Sequence, residues 1–290
     1  MPLGSLLART HHPNTHGVRI GGRLQGKRLC VPVLSADEEV VRDHVLVATT
    51  LIEATQGEVH LLDPIEEETR LISMPADRDS LEEAIVWATE GVTSRSTSQG
   101  VLGARRVDLR LRNYLTEGSF DTLVLPGGDE TMLSGSRLRR LAKQAPCNVI
   151  TVNGKPGFRE FASILLPIAN GPHSGLATDV AGTIAREIGA WVDILHVISP
   201  DANDRERRAA TERTETAAER IDLPERASTW VLEESDTAEA IVDQSAYYGL
   251  TVIGAPTAGP LHRFVYGSTS QSIRHAADSV VIAARTTDAP

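Results

Sequence analysis

The chain has 290 residues, with Lys plus Arg at 29 and Asp plus Glu at 39, so its formal net charge is −10. Hydrophobic residues make up 41% and charged residues 23%, an ordinary globular composition that excludes disorder and fibrous repeats. So acidic a balance also excludes a general nucleic-acid binder, which needs a basic footprint. The length allows one large domain or two small ones.

Residues 1–27 are rich in Gly, Arg and His and show neither periodicity nor the apolar core of a signal peptide, so they read as a flexible tail. His11, His12 and His16 fall there without a neighbouring carboxylate or Cys, which makes a poor metal site. No apolar run approaches the roughly 18 residues that span a bilayer. The expectation is a cytoplasmic protein with no membrane segment of its own. Cys30 and Cys147 each open or lie within an apolar run and read as buried small hydrophobes.

Residues 29–34 (LCVPVL) form the first apolar run of strand length. A helix is expected at 39–53, a strand at 58–62, a helix at 81–89 and a third strand at 107–111. A fourth strand at 120–126, a helix at 136–144 and a fifth strand at 147–152 complete a first domain, 28–153. Residues 154–160 (GKPGFRE) carry two Gly and one Pro and read as a linker.

The second domain, 161–286, repeats the plan more clearly. A strand at 163–169 precedes a helix at 175–189, whose Leu176, Val180, Ile184 and Ile188 draw one apolar face. Strands follow at 191–198, 228–232, 250–254 and 279–284, with helices at 201–220, 236–248 and 268–277. Strands apolar on both faces, alternating with helices, indicate an α/β protein. Right-handed crossovers then predict two doubly wound parallel five-stranded sheets of order 3-2-1-4-5, a Rossmann-like plan. The fifth strands fall at apolar sheet edges, which tend to pair. The expected partners are the two halves themselves, as a pseudo-twofold pair, or a second copy in a homodimer.

Ligands of such sheets bind beyond the carboxyl ends of the strands, where strand order reverses. In the second half this selects the loop at 170–174 (NGPHS) and the loop that starts at Gly254. The latter runs through Thr257 and Gly259 to Gly267, Ser268 and Thr269 at a helix start. Gly lets the backbone approach a phosphate, and the free N–H groups of the helix start can bind it.

Here the second half resembles a universal stress protein domain, and the chain resembles a tandem universal stress protein. The first strand ends Leu165-Leu166-Pro167-Ile168, and the second ends Leu195-His196-Val197-Ile198, like the family's strands. The family's phosphate signature appears as Gly254, two residues, Thr257, nine residues, Gly267-Ser268. The resemblance covers residues 160–286 well and 28–153 faintly. It implies an adenine nucleotide alpha hydrolase-like fold and a bound adenine nucleotide, ATP or AMP. The nucleotide would lie on the loop Pro167, Ile168, Ala169 and Asn170. Adenine would meet Val197, and the phosphates would meet Gly254, Thr257, Gly259, Gly267, Ser268 and Thr269. Ala169 stands where ATP-binding members carry Asp, and Thr257 replaces the middle Gly of the signature. In the first half, Leu34-Ser35-Ala36 and Leu61-Leu62-Asp63 replace both strand endings. Gly127-Gly128 is followed after only six residues by Gly135-Ser136. That half reads as structural.

The resemblance implies a binding or regulatory module without a catalytic residue. An interaction scaffold that binds no nucleotide, or a cytosolic regulator of a transporter, is the alternative; slow ATP hydrolysis at the 254–269 loop is another. The run Asp121 to Gly128 is similar to the Pro-Gly-Gly loop of the DJ-1/amidotransferase superfamily. Those enzymes need a nucleophilic Cys on a strand-to-helix turn, which neither Cys30 nor Cys147 occupies.

Overall fold

The computed structural model describes residues 23–35, 37–64, 68–73, 78–93, 101–127, 131, 133–154, 157–158, 161–256, 261–262 and 280–287. In chain order they form β1 (Arg28–Pro32), α1 (Glu38–Glu53), β2 (Glu58–Asp63), β3 (Glu68–Ser73), α2 (Arg78–Thr93), α3 (Val101–Glu117), β4 (Thr122–Pro126), α4 (Gly135–Gln144) and β5 (Asn148–Gly154). The second half continues with β6 (Ser163–Pro167), α5 (Ser174–Ile188), β7 (Trp191–Ile198), α6 (Asp204–Ile221), β8 (Ala227–Glu233), α7 (Thr237–Ser245), β9 (Leu250–Gly254) and β10 (Val280–Arg285).

The central strands are apolar on both faces because helices cover both. Ile164, Leu165 and Leu166 of β6 are all 0% exposed. The strands join into one ten-stranded sheet of order β3-β2-β1-β4-β5-β10-β9-β6-β7-β8. Pairing is parallel except at two places. β2 and β3 form an antiparallel pair, and β5 runs antiparallel to β10, with Val152 opposite Ile282.

The first half departs from its reading in two respects: its third strand lies elsewhere in the chain, and that strand runs antiparallel to β2 where a parallel sheet was expected. Residues 107–111, expected as the third strand, lie inside α3. Val107, Leu111 and Leu115 are the buried stripe of that helix, at a spacing of one turn, while Leu109 is 60% exposed. The third strand is instead β3, which returns directly from β2. The helix expected at 268–277 lies outside the described residues.

The largest core cluster crosses from one half to the other. It joins Val45, Leu51 and Ile52 of α1 and Ile85 of α2 to Val180 and Ile184 of α5 and Ile221 of α6. The connection between the halves is tied down as well. The buried Asp43 carboxylate accepts hydrogen bonds from the backbone N–H groups of Gly157 (2.7 Å) and Phe158 (2.9 Å). At the N-terminal side, Leu24 N–H donates to Asp179 Oδ2 at 2.8 Å, and the same carboxylate pairs with Arg220. Cys30 and Cys147 are free and buried, and burial raises both thiol pKa values, Cys147 to about 12. Neither supplies a thiolate nucleophile.

Candidate functional site

A cavity of about 280 Å³ opens at the carboxyl ends of β6, β7 and β9. β6 and β9 are neighbours from which the chain winds in opposite directions, so the cavity lies at the switch point of the second half. Its volume is near the lower end of the roughly 300–1,000 Å³ usual for small-molecule sites. Pro167, Ile168 and Ala169 line it from β6 and its loop, Leu195, His196 and Val197 from β7, and Ile253 and Gly254 from β9. Thr237 and Ile241, one turn apart on α7, close another side.

The loop after β6 is folded on itself. Ser174 Oγ donates to the Ala169 carbonyl at 2.8 Å and accepts from Ala169 N–H at 3.3 Å. Gly254 is where β9 meets the start of α5. A Cβ there would stand 3.1 Å from His173 C and 3.2 Å from Ser174 N, closer than side chains normally pack. A side chain there would require the strand end and the helix start to move apart by a few tenths of an ångström.

Strand register decides what Val197 offers. Val192 N–H donates to Arg226 O and Glu234 N–H to Ile198 O, so the even-numbered residues of β7 bond toward β8. Odd-numbered residues therefore face β6, as the bond from Ile168 N–H to Leu195 O confirms. The ladder to β6 stops at the Pro167–Leu195 pair. The N–H and C=O of Val197 consequently point past the end of β6, into the cavity.

Two histidines line the cavity, and both are neutral. His196 Nδ1 lies 2.6 Å from the Ile168 carbonyl, which can only accept. Its Nε2 lies 2.9 Å from Nη1 of the buried Arg213, which can only donate. The ring is thus fixed as the Nδ1–H tautomer. Burial lowers its pKa, and Arg213 adds to the effect against the carbonyl bond. His173 is buried and accepts from Thr286 N–H at 3.3 Å; burial and then Arg285 lower its pKa. No Asp, Glu, Lys or Arg is among the described lining residues. The described walls are therefore uncharged and largely apolar, suited to an uncharged ring.

Five of the residues expected at a ligand site, Pro167, Ile168, Ala169, Val197 and Gly254, meet at this one cavity. Asn170 is exposed in the adjoining loop and is not part of the lining. Thr257, Gly259, Gly267, Ser268 and Thr269 lie outside the described residues. The α7 wall was missed by reading loops alone. Its signal was Thr237 and Ile241 at one-turn spacing after the Asp236 cap.

In the first half, Pro32 pairs with Leu62 as Pro167 pairs with Leu195. Leu34 thereby corresponds to Ala169. Ala169 is exposed at the cavity, whereas Leu34 is 1% exposed and packs in a cluster with Leu62, Leu125 and Leu133. The void at the end of β4 is about 20 Å³, too small for a nucleotide. Among the described residues no group of His, Cys, Asp or Glu could hold a metal ion, and no helix is long and apolar enough to cross a membrane.

A doubly wound half with an open switch-point cavity defines a Rossmann-like α/β domain. Residues 160–285 match the model of the universal stress protein family. No curated protein matches the chain by sequence. A universal stress protein from Archaeoglobus fulgidus DSM 4304 shares the fold at 14% identity. The match covers 91% of this chain and 98% of that one, with a TM-score of 0.50. The cytoplasmic domain of a prokaryotic cation chloride cotransporter shares it at 18% identity, with 89% and 95% covered and a TM-score of 0.55.

Proposed function

We propose that the second half binds an adenine nucleotide, ATP or AMP, in the cavity at the ends of β6, β7 and β9, and that the protein works as a regulatory module rather than a catalyst. The observation that carries this is the outward-pointing backbone of Val197 above described walls that are uncharged and largely apolar, in a domain that matches the model of the universal stress protein family. A purine ring is flat and uncharged and carries a donor beside an acceptor on its edge. It can bury its faces against Ile241, Ile253 and Pro167 while its edge pairs with that N–H and C=O. In this reading the phosphates lie toward Gly254 and the stretch from Thr257 and Gly259 to Gly267, Ser268 and Thr269. The halves act as a pseudo-twofold pair, a reading supported by the antiparallel β5–β10 register.

A second reading, an interaction scaffold without nucleotide, is favoured by one observation: Ala169 leaves the loop without a carboxylate to accept from ribose hydroxyls. Calorimetric titration with ATP, AMP and adenosine separates the two. Binding of ATP that disappears in Gly267→Val, with an unchanged circular dichroism spectrum, supports the nucleotide site. Ala169→Asp is expected to tighten it, by restoring the acceptor. Absence of binding in both the natural chain and Ala169→Asp supports the scaffold.

A further inference from the structure

The antiparallel junction of the halves has a geometric consequence for the cavity. α4 precedes β5 and runs against it, and β5 runs against β10. α4 therefore points the same way as β10, and its last turn reaches the carboxyl edge of the second half's sheet, where the cavity opens. The contacts follow. Arg285, the last residue of β10, donates from Nη1 to Ala142 O at 2.9 Å and from Nη2 to Lys143 O at 3.2 Å. The residue before it, Ala284, pairs with Gly254 of the cavity wall. The residue after it, Thr286, bonds to His173 of the same wall. His262, next to the lining residue Leu261, is close enough to Arg139 and Lys143 for both to disfavour its protonation, after burial.

The composition of α4 is unusual for this protein. Its sequence, GSRLRRLAKQ, holds Arg137, Arg139, Arg140 and Lys143 and no acid, in a chain of net charge −10. Arg139, Arg140 and Lys143 are exposed, and no ion pair joins them to a carboxylate among the described residues. Lys143 suits the negative end of the helix dipole; Arg139, one turn back on the same stripe, also lines the small void at the end of β4. A nucleotide polyphosphate approaching an acidic protein needs a local positive field, and the described lining residues supply none.

We propose that the first half serves the second: Arg139 and Lys143 of α4 form the cationic rim that receives the phosphate groups of a nucleotide whose base occupies the β6–β7–β9 cavity. The first half, whose own site is closed by Leu34, thus contributes to a composite site. This rests on the nucleotide reading above, and the test separates the two. The full chain and the variant Arg139→Glu/Lys143→Glu are titrated with adenosine, AMP and ATP at low and moderate salt. Both positions are exposed, so the fold is expected to survive, with unfolding temperature as the control. The variant should bind adenosine as the natural chain does and ATP at least about tenfold more weakly, with AMP between them and less salt dependence. Arg139→Gln/Lys143→Gln should fall between. Unchanged ATP affinity in both variants, with adenosine still bound, overturns the composite site and leaves the nucleotide reading standing. Failure of all three ligands to bind the natural chain overturns both.

Discussion

His44 lies on α1, 5% exposed, bonded to the Val152 backbone, and burial pulls its pKa from the ordinary 6.5 to about 4. The folded state therefore binds fewer protons than the unfolded state between those values. Stability is full above about pH 6.5 and is lost as pH falls toward 4. At 1.36 kcal/mol per pKa unit, about 2.5 kcal/mol should be gone by pH 4.5. Urea unfolding at pH 7 and 4.5 is expected to show a difference smaller by about that amount in His44→Gln; an equal difference in both proteins would contradict the assignment. Gly254 is the other position where a single atom matters. Gly254→Ala forces the start of α5 away from β9, and overpacking of this kind costs about 1–3 kcal/mol. Thermal unfolding would register it, and an unchanged midpoint would show that the helix start moves aside freely.

At the scale of the element, α6 shows how local chemistry starts a helix that is mostly charged. Asn203 accepts from Arg205 N–H (3.0 Å) and Glu206 N–H (3.1 Å), and Glu206 accepts from Asn203 N–H at 2.8 Å, a complete capping box. Asn203→Ala should cost about 1 kcal/mol by denaturant unfolding, and a neutral result would mean that α6 is held by Ala210, Ala217 and Ile221 alone. This start was within reach of the sequence, as were the apolar runs of β1, β6, β7, β9 and β10, because strands buried on both faces leave little else for such runs to be. The third strand of the first half was not. Val107, Leu109 and Leu111 alternate as a strand would, and over five residues that pattern cannot be told from one face of a helix. The wider stripe Val107, Leu111, Leu115 settles it. β3, with Glu68 and Arg70 at a sheet edge, lacks the apolar run that marks a buried strand. At the site, the loop residues were legible because Gly and Pro punctuate strand ends. The α7 wall and the neighbouring α4 were not, since they are brought there by the order of strands, which periodicity does not encode.

Across the whole molecule, the fifth strands of the halves share a ladder and α1 packs against α5 in one continuous core. A core of this kind couples the halves: opening either would bare the apolar edge of β5 or β10 and the facing sides of α1 and α5. The described residues therefore should unfold as one cooperative unit rather than as two. The three tryptophans allow a direct check, since Trp87 belongs to α2 and both Trp191 and Trp230 belong to the second half. In a Trp87→Phe background, fluorescence reports the second half alone, while far-ultraviolet circular dichroism reports all helices. Leu51, 0% exposed on α1, lies in the shared core. Leu51→Ala should cost about 2–5 kcal/mol. If the halves are coupled, that cost in the first half must appear in the fluorescence transition of the second. The two signals would move together to lower denaturant concentration by the same amount. A circular dichroism curve that splits, with fluorescence left at its original midpoint, would show instead that the β5–β10 ladder joins two independently stable units.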